Sequence, residues 1–142
     1  VSTSPSVPPV LSVRDRRHAE AVREIKEAAL RHHAAGELSL RAVARDLGMS
    51  AQALYHYFPS RDELITALIT DGQAAAAQAV AAGREAGGDR RGRLVGAAVA
   101  YRDWAVDQPH VFRLVYGDPI PGYAAPEGGP TVAGALRLGV EF

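Results

Sequence analysis

The side chains best suited to chemistry in this chain lie close together between Ser50 and Arg61. They are Ser50, Ala51, Gln52, Tyr55, His56, Tyr57 and Arg61. None pairs a nucleophile with a base. A helix starting after Ser50 places Ala51 and Gln52 at its N-terminal end. A small side chain and an amide there allow close approach to base edges in a DNA major groove. Ser50, Tyr55, Tyr57 and Arg61 then stand around it as donors for phosphate oxygens. The chemistry implied is reversible recognition of a nucleic acid.

Such a helix must be held by others, and the sequence supplies them. Helical periodicity dominates, with no convincing alternation of period two, so an all-α fold is expected. A first helix is predicted from about Arg14 to Ala35, with Val22, Ile25 and Ala29 at helical spacing and Gly36 as its stop. Ser39 caps a second, in which Leu40, Val43, Ala44 and Leu47 form one buried face. Gly48 supplies the residue tolerant of positive φ that ends it, and Met49 tucks beneath the turn. Ser50 caps the third helix, which must stop before Pro59. Leu54 and Phe58 are its inward pair.

The second and third helices have the dimensions of a helix-turn-helix, in which one helix braces the other against DNA. That spacing alone is shared with ordinary three-helix units whose polar faces are merely solvated. Ser60-Arg61-Asp62-Glu63 then reads as a capping box opening a fourth helix. Leu64, Ala67, Leu68 and Asp71 continue one face of it, to about Ala82. A flexible connection is expected from Gly83 to Asp89, with Gly83, Gly87 and Gly88. A fifth helix, about Arg91 to Asp107, carries Leu94, Ala97, Ala98, Tyr101 and Trp104 before Pro109. A sixth, His110 to Tyr116, precedes a Pro/Gly-rich loop, and a seventh is expected from Val132 to Phe142. Its pattern is still running at the last residue, which reads as a helical domain cut short.

Sixteen basic residues balance sixteen acidic ones, so any anion-binding surface must come from local excess. Residues 14–17 hold three arginines against Asp15, and residues 39–61 hold Arg41, Arg45 and Arg61 against Asp46. The absence of cysteine excludes disulfides and thiolate metal sites and fits a cytoplasmic location. The apolar stretch around Ala74 to Ala82 is shorter than the ~20 residues a bilayer requires. No nucleophile with its base, metal-ligand spacing or phosphate-binding glycine loop is found, so no enzymatic activity and no cofactor is expected. Asp103 and Asp107 lie one turn apart without partners for catalysis. His32 and His33 are adjacent on a helix and so do not converge on one ion; one partly buried and one exposed histidine is expected.

The run from Ser39 to Leu64 resembles the DNA-binding region of TetR-family regulators, most diagnostically in Leu54-Tyr55-x-x-Phe58 followed by Arg61. The likeness extends over about 19–68. It implies that Ala51 and Gln52 read bases, that Tyr55, Tyr57 and Arg61 contact phosphates, and that Arg41 reaches a base edge or phosphate. Gln52 can pair bidentately with adenine and the Ala51 methyl can meet a thymine methyl, each worth roughly 1–3 kcal/mol of discrimination. His56 is expected at the same surface, and Arg14, Arg16 and Arg17 as an added arm contact. The connection around Gly36-Glu37-Leu38 is shorter than is usual in the family.

Farther on, the stretch from Tyr101 to Gly117 and the Pro-Ile-Pro-Gly-Tyr loop ending at Tyr123 resemble the ligand domain of a TetR subgroup frequent in actinobacteria. This resemblance implies a helical domain that takes a small apolar or amphipathic effector and dimerises through later helices. Tyr101, Trp104, Phe112 and Tyr116, with Tyr123, are the candidate pocket residues, although aromatics at this spacing also serve as ordinary core. The organisation expected is a disordered arm (1–13), a helix-turn-helix domain (14–60), a connecting helix (61–82) and an incomplete effector-binding domain (83–142). The function implied is a homodimeric repressor that leaves its operator when an effector binds. The competing reading is a helical protein-interaction module that no longer touches DNA.

Overall fold

The computed structural model describes residues 10–141, so most of the segment expected as a disordered arm lies outside the described residues. Within the described residues the chain forms seven helices and no strand. They are α1 (Val13–Ala34), α2 (Leu40–Asp46), α3 (Ala51–Tyr57), α4 (Arg61–Glu85), α5 (Arg90–Asp107), α6 (Pro109–Tyr116) and α7 (Pro130–Glu141).

Side chains fix most of the helix starts. Ser12, Ser39, Ser50, Ser60 and Asp89 each accept a backbone N–H from the third residue of the helix they precede. Each satisfies a donor the helix cannot satisfy itself, worth about 1 kcal/mol. At Ser60 this bond runs from the Glu63 N–H at 3.1 Å. The full reciprocal box forms at α1, between Ser12 and Asp15. Helix α6 begins instead with Pro109, whose missing N–H would have had no partner there.

Glycines end the first two helices. Gly36 and Gly48 have φ of 91° and 66°. In the second case the Gly48 N–H donates to the Arg45 carbonyl (3.2 Å) and the Met49 N–H to the Ala44 carbonyl (2.9 Å), a Schellman motif. The turn between α2 and α3 is therefore closed on one side by a left-handed glycine and on the other by the Ser50 cap.

The first core joins Ile25, Ala28 and Ala29 of α1 to Val43 and Ala44 of α2, Leu54 of α3 and Leu64, Ile65, Leu68 and Ile69 of α4, with Phe58 just past α3. Leu54, Ile25, Leu64 and Ile65 are fully buried. Each such side chain contributes roughly 1.5–3 kcal/mol relative to exposure. A second, smaller core joins Ala76, Ala77 and Val80 of α4 to Ala97 of α5 and Leu138 of α7, with Tyr101 and Trp104 packed against it. Helix α4 thus belongs to both.

Two expectations are corrected. Gly83 lies inside α4, which runs on to Glu85 rather than stopping near Ala82. The reason is its contact with Gly96 of α5: a Cβ on either glycine would collide with the carbonyl of the other. The glycines serve a backbone-to-backbone crossing, and the true connection is 86–89. On α5, Ala97, Tyr101 and Trp104 face inward, whereas Leu94 and Ala98 are exposed. Packing follows the small-residue stripe that lets α4 approach, leaving the Leu94 side open.

The adjacent histidines also differ from expectation, since neither is fully exposed. His32 faces Asp46 (3.4 Å), which also receives Arg31 (3.1 Å), so α1 and α2 are tied at this point. For His33, burial lowers the pKa below the ordinary 6.5, and the nearby charges of His110 and Arg61 add to the effect. No group of three or more His, Cys, Asp or Glu able to hold a metal occurs among the described residues.

Two outcomes follow from these contacts. Gly83→Ala is expected to destabilise the protein by about 1–3 kcal/mol in urea unfolding, because α4 and α5 must separate. Gly88→Ala has open space around it and is expected to stay within ~0.5 kcal/mol; equal effects would show that the crossing is not close-packed. For His33, the unfolded chain takes up its proton near pH 6.5 while the folded chain resists until lower pH. Stability is therefore fully present above that range and lost as pH falls. The melting temperature is expected to drop more between about pH 7.5 and about 5.5 for the wild type than for His33→Gln, and parallel curves would refute this linkage.

Candidate nucleic-acid interface

Helix α3 is held from behind by a single fully buried anchor, Leu54, with Phe58 closing the far end. Val43 and Ala44 of α2 belong to the same core. With that face committed, the N-terminal end of α3 is left outward. Gln52 is exposed and Ala51 half-buried, so the amide stands clear of the protein while the methyl lies at its edge. Ser50 uses its oxygen to accept the Ala53 N–H at 3.1 Å, which leaves its hydroxyl hydrogen to be donated outward.

The other residues expected here divide into two groups. Tyr55, Arg41 and Arg61 converge on one shallow cleft of about 420 Å³, together with Ser39 and Ser60. Arg41 is exposed and makes no ion pair among the described residues. Tyr55 is 42% exposed, enough for its ring to be reached from outside. The starts of α2 and α4 meet at this cleft, so the partial positive charge of two helix ends adds to the arginines. Ser39 and Ser60 enter the sequence reading only as helix caps, because nothing in local spacing places two distant caps side by side.

The second group sits toward α1. Tyr57 is half-buried and packs against the first core. Its ring lies 5.1 Å from that of His18 and 5.7 Å from that of His56. His56 itself is exposed. Arg14, Arg16 and Arg17 are exposed as well, but they lie on the opening turns of α1 rather than on an extended arm. They are carried by the helix that contributes His18 to the Tyr57 contact.

Arg61 is more committed than the sequence implies. Its Nε donates to the Leu38 carbonyl at 2.8 Å and its Nη1 to the Pro121 carbonyl at 3.2 Å. One acceptor precedes α2, and the other belongs to the loop after α6. Neither carbonyl carries a sequence signal.

The aromatic residues expected to form a pocket come together between α5 and α6. Tyr101 lies 5.9 Å from Trp104 and 6.5 Å from Phe112, and Phe112 lies 5.3 Å from Tyr116. Partial burial in this cluster, with Tyr101 alongside, pushes the Tyr116 phenol up to about 12. Tyr123 is separate from the cluster, sharing a hydrogen bond with Thr66 of α4 at 2.9 Å. Trp104 also borders an apolar groove of about 570 Å³ between α1 and α4, crossed by the Lys26–Asp71 ion pair at 2.7 Å.

Comparison with known proteins matches this architecture. Residues 22–68 fit the family model described as bacterial regulatory proteins, tetR family. Residues 94–141 fit that described as tetracyclin repressor-like, C-terminal domain. The HTH-type transcriptional regulators Rv1816 of Mycobacterium tuberculosis and Mb1846 of Mycobacterium bovis are both 42% identical over 105 residues. The match covers 72% of this chain and 45% of each relative, so the chain spans less than half the length of these curated proteins. The crystal structure of a regulatory protein, SCO4313, is 39% identical with a TM-score of 0.79, over 89% of this chain and 61% of that one. The two family models fall on the helix-turn-helix and on the α5–α7 region respectively, and the chain belongs to the TetR family of bacterial regulatory proteins.

Proposed function

We propose that this protein is a sequence-specific DNA-binding transcription regulator that acts as a homodimer and leaves its operator when a small effector binds. The observation that carries the reading is the outward N-terminal end of α3, with Ala51 and Gln52 presented above the Leu54 anchor. Gln52 and Ala51 read base edges; Ser50, Arg41, Tyr55, His56, Tyr57 and Arg61 are the candidate phosphate and rim contacts. Two copies would set their α3 helices in successive major grooves, ~34–36 Å apart.

Exposed apolar faces support dimerisation. Leu94, Val95 and Val99 on α5 and Val132, Leu136 and Val140 on α7 lie open, and surfaces of this kind mark association sites. The Tyr101–Trp104–Phe112–Tyr116 cluster supports a site for an apolar or amphipathic effector. Release then requires the effector to favour a second arrangement of the dimer.

The test is fluorescence anisotropy with the gene's own upstream DNA and a scrambled control. Gln52→Ala is expected to weaken upstream-DNA binding by about 1–3 kcal/mol while leaving scrambled-DNA binding nearly unchanged. Equal affinity of the wild type for both DNAs would favour the non-DNA interaction module instead.

A further inference from the structure

The Pro119-Ile120-Pro121-Gly122-Tyr123 segment after α6 is fastened to the DNA-reading head at four points. Pro121 accepts a hydrogen bond from Arg61. Tyr123 shares one with Thr66. Ile120 and Tyr123 both pack against the first core, the one that contains Leu54 and Phe58. The segment is also stiff, since two prolines fix their own φ and Gly122 turns it at φ 72°.

Arg61 completes the connection. It is the first residue of α4 and follows α3 by a three-residue turn. While Nη1 holds the loop, Nε holds the Leu38 carbonyl, just ahead of the Ser39 cap of α2. A single planar guanidinium therefore joins both flanks of the helix-turn-helix to the loop leaving α6. Arginine presents five N–H donors in a rigid fork, which a lysine ammonium cannot reproduce.

We propose that Arg61 is a positioning residue, and that with the Pro119–Tyr123 loop it forms a strap through which the α5–α6 region sets the pose of α2 and α3 for DNA. This rests on the DNA-binding reading above and assigns Arg61 a task other than a phosphate anchor. The strap carries displacement of α6 to the front of α2 without passing along α4. Tyr123, which has no charge to offer DNA, becomes a determinant of operator affinity.

Salt dependence separates the two roles. A phosphate anchor contributes about 0.9 to the slope of log affinity against log salt, and its loss lowers that slope. A positioning residue lowers affinity with the slope intact. In the full chain, Arg61→Gln, Arg61→Lys and Tyr123→Phe are each expected to weaken upstream-DNA binding roughly three- to tenfold with unchanged slope. The Arg61→Gln/Tyr123→Phe double variant should lose little more than either alone. A slope lower by about one for Arg61→Gln, with Arg61→Lys and Tyr123→Phe near wild type, would overturn the proposal.

Hydrogen exchange of the DNA-free protein decides the strap independently of DNA binding. Tyr123→Phe is expected to speed amide exchange in residues 36–48 several-fold while 72–82, the part of α4 beyond the Thr66 contact, stays unchanged, although the substitution lies outside both. No change in 36–48, or equal acceleration in both segments, would sink the strap. If the wild type prefers no DNA, the DNA-binding reading fails while the exchange result still judges the connection.

Discussion

The structure depends on α4 remaining one uninterrupted helix. Its first half gives Leu64, Ile65, Leu68 and Ile69 to the core of the helix-turn-helix head, and its second half gives Ala76, Ala77 and Val80 to the core with α5 and α7. The change from large to small side chains along one helix matches the change in its neighbours. Bulky residues fill the space between α4 and the short α2 and α3, whereas alanines and Gly83 bring the backbones of α4 and α5 together. A helix of 25 residues is ~37 Å long, so the two cores are separate in space yet share one backbone.

The head was largely legible from sequence because its determinants are local. Ser39, Gly48, Ser50 and Pro59 each act within a few residues of themselves, through a cap, a left-handed turn or a forbidden helical angle. Leu54 and Phe58 follow from spacing on α3. What remained hidden depends on distant chain. Gly83 looks like a helix stop until Gly96 is seen against it, and Leu94 looks like core until the route of α4 is known. At the interface, exposure of Gln52 and Arg41 followed from the pattern, but the engagement of Arg61 with two main-chain oxygens did not. A carbonyl has no side-chain identity, so no residue type announces it as a partner.

The α5–α7 region shows the opposite balance. Its aromatic residues gather as their spacing suggests, yet several apolar side chains on α5 and α7 face outward. Few large side chains are fully buried there, and Leu114 of α6 belongs to the head's core rather than to that of α5 and α7. The head has a well-filled interior that Leu114 of α6 helps to close, whereas the remainder leaves apolar faces open. No helix of the described residues is long and apolar enough to cross a membrane, so those faces are not spans.

The meeting of Gly83 with Gly96 has a mechanical consequence. Two main chains in direct contact resist being pushed closer, and with only the Ala100 methyl beside Gly83 little interlocks there, so the crossing can serve as a fulcrum for tilting. From Gly83 to Arg61 the lever arm along α4 is ~33 Å, and a tilt of ~5° about the crossing sweeps the far end through ~3 Å. That is about the length of one hydrogen bond. A rotation too slight to disturb the packing of alanines at one end is thus large enough to make or break a hydrogen bond at the other.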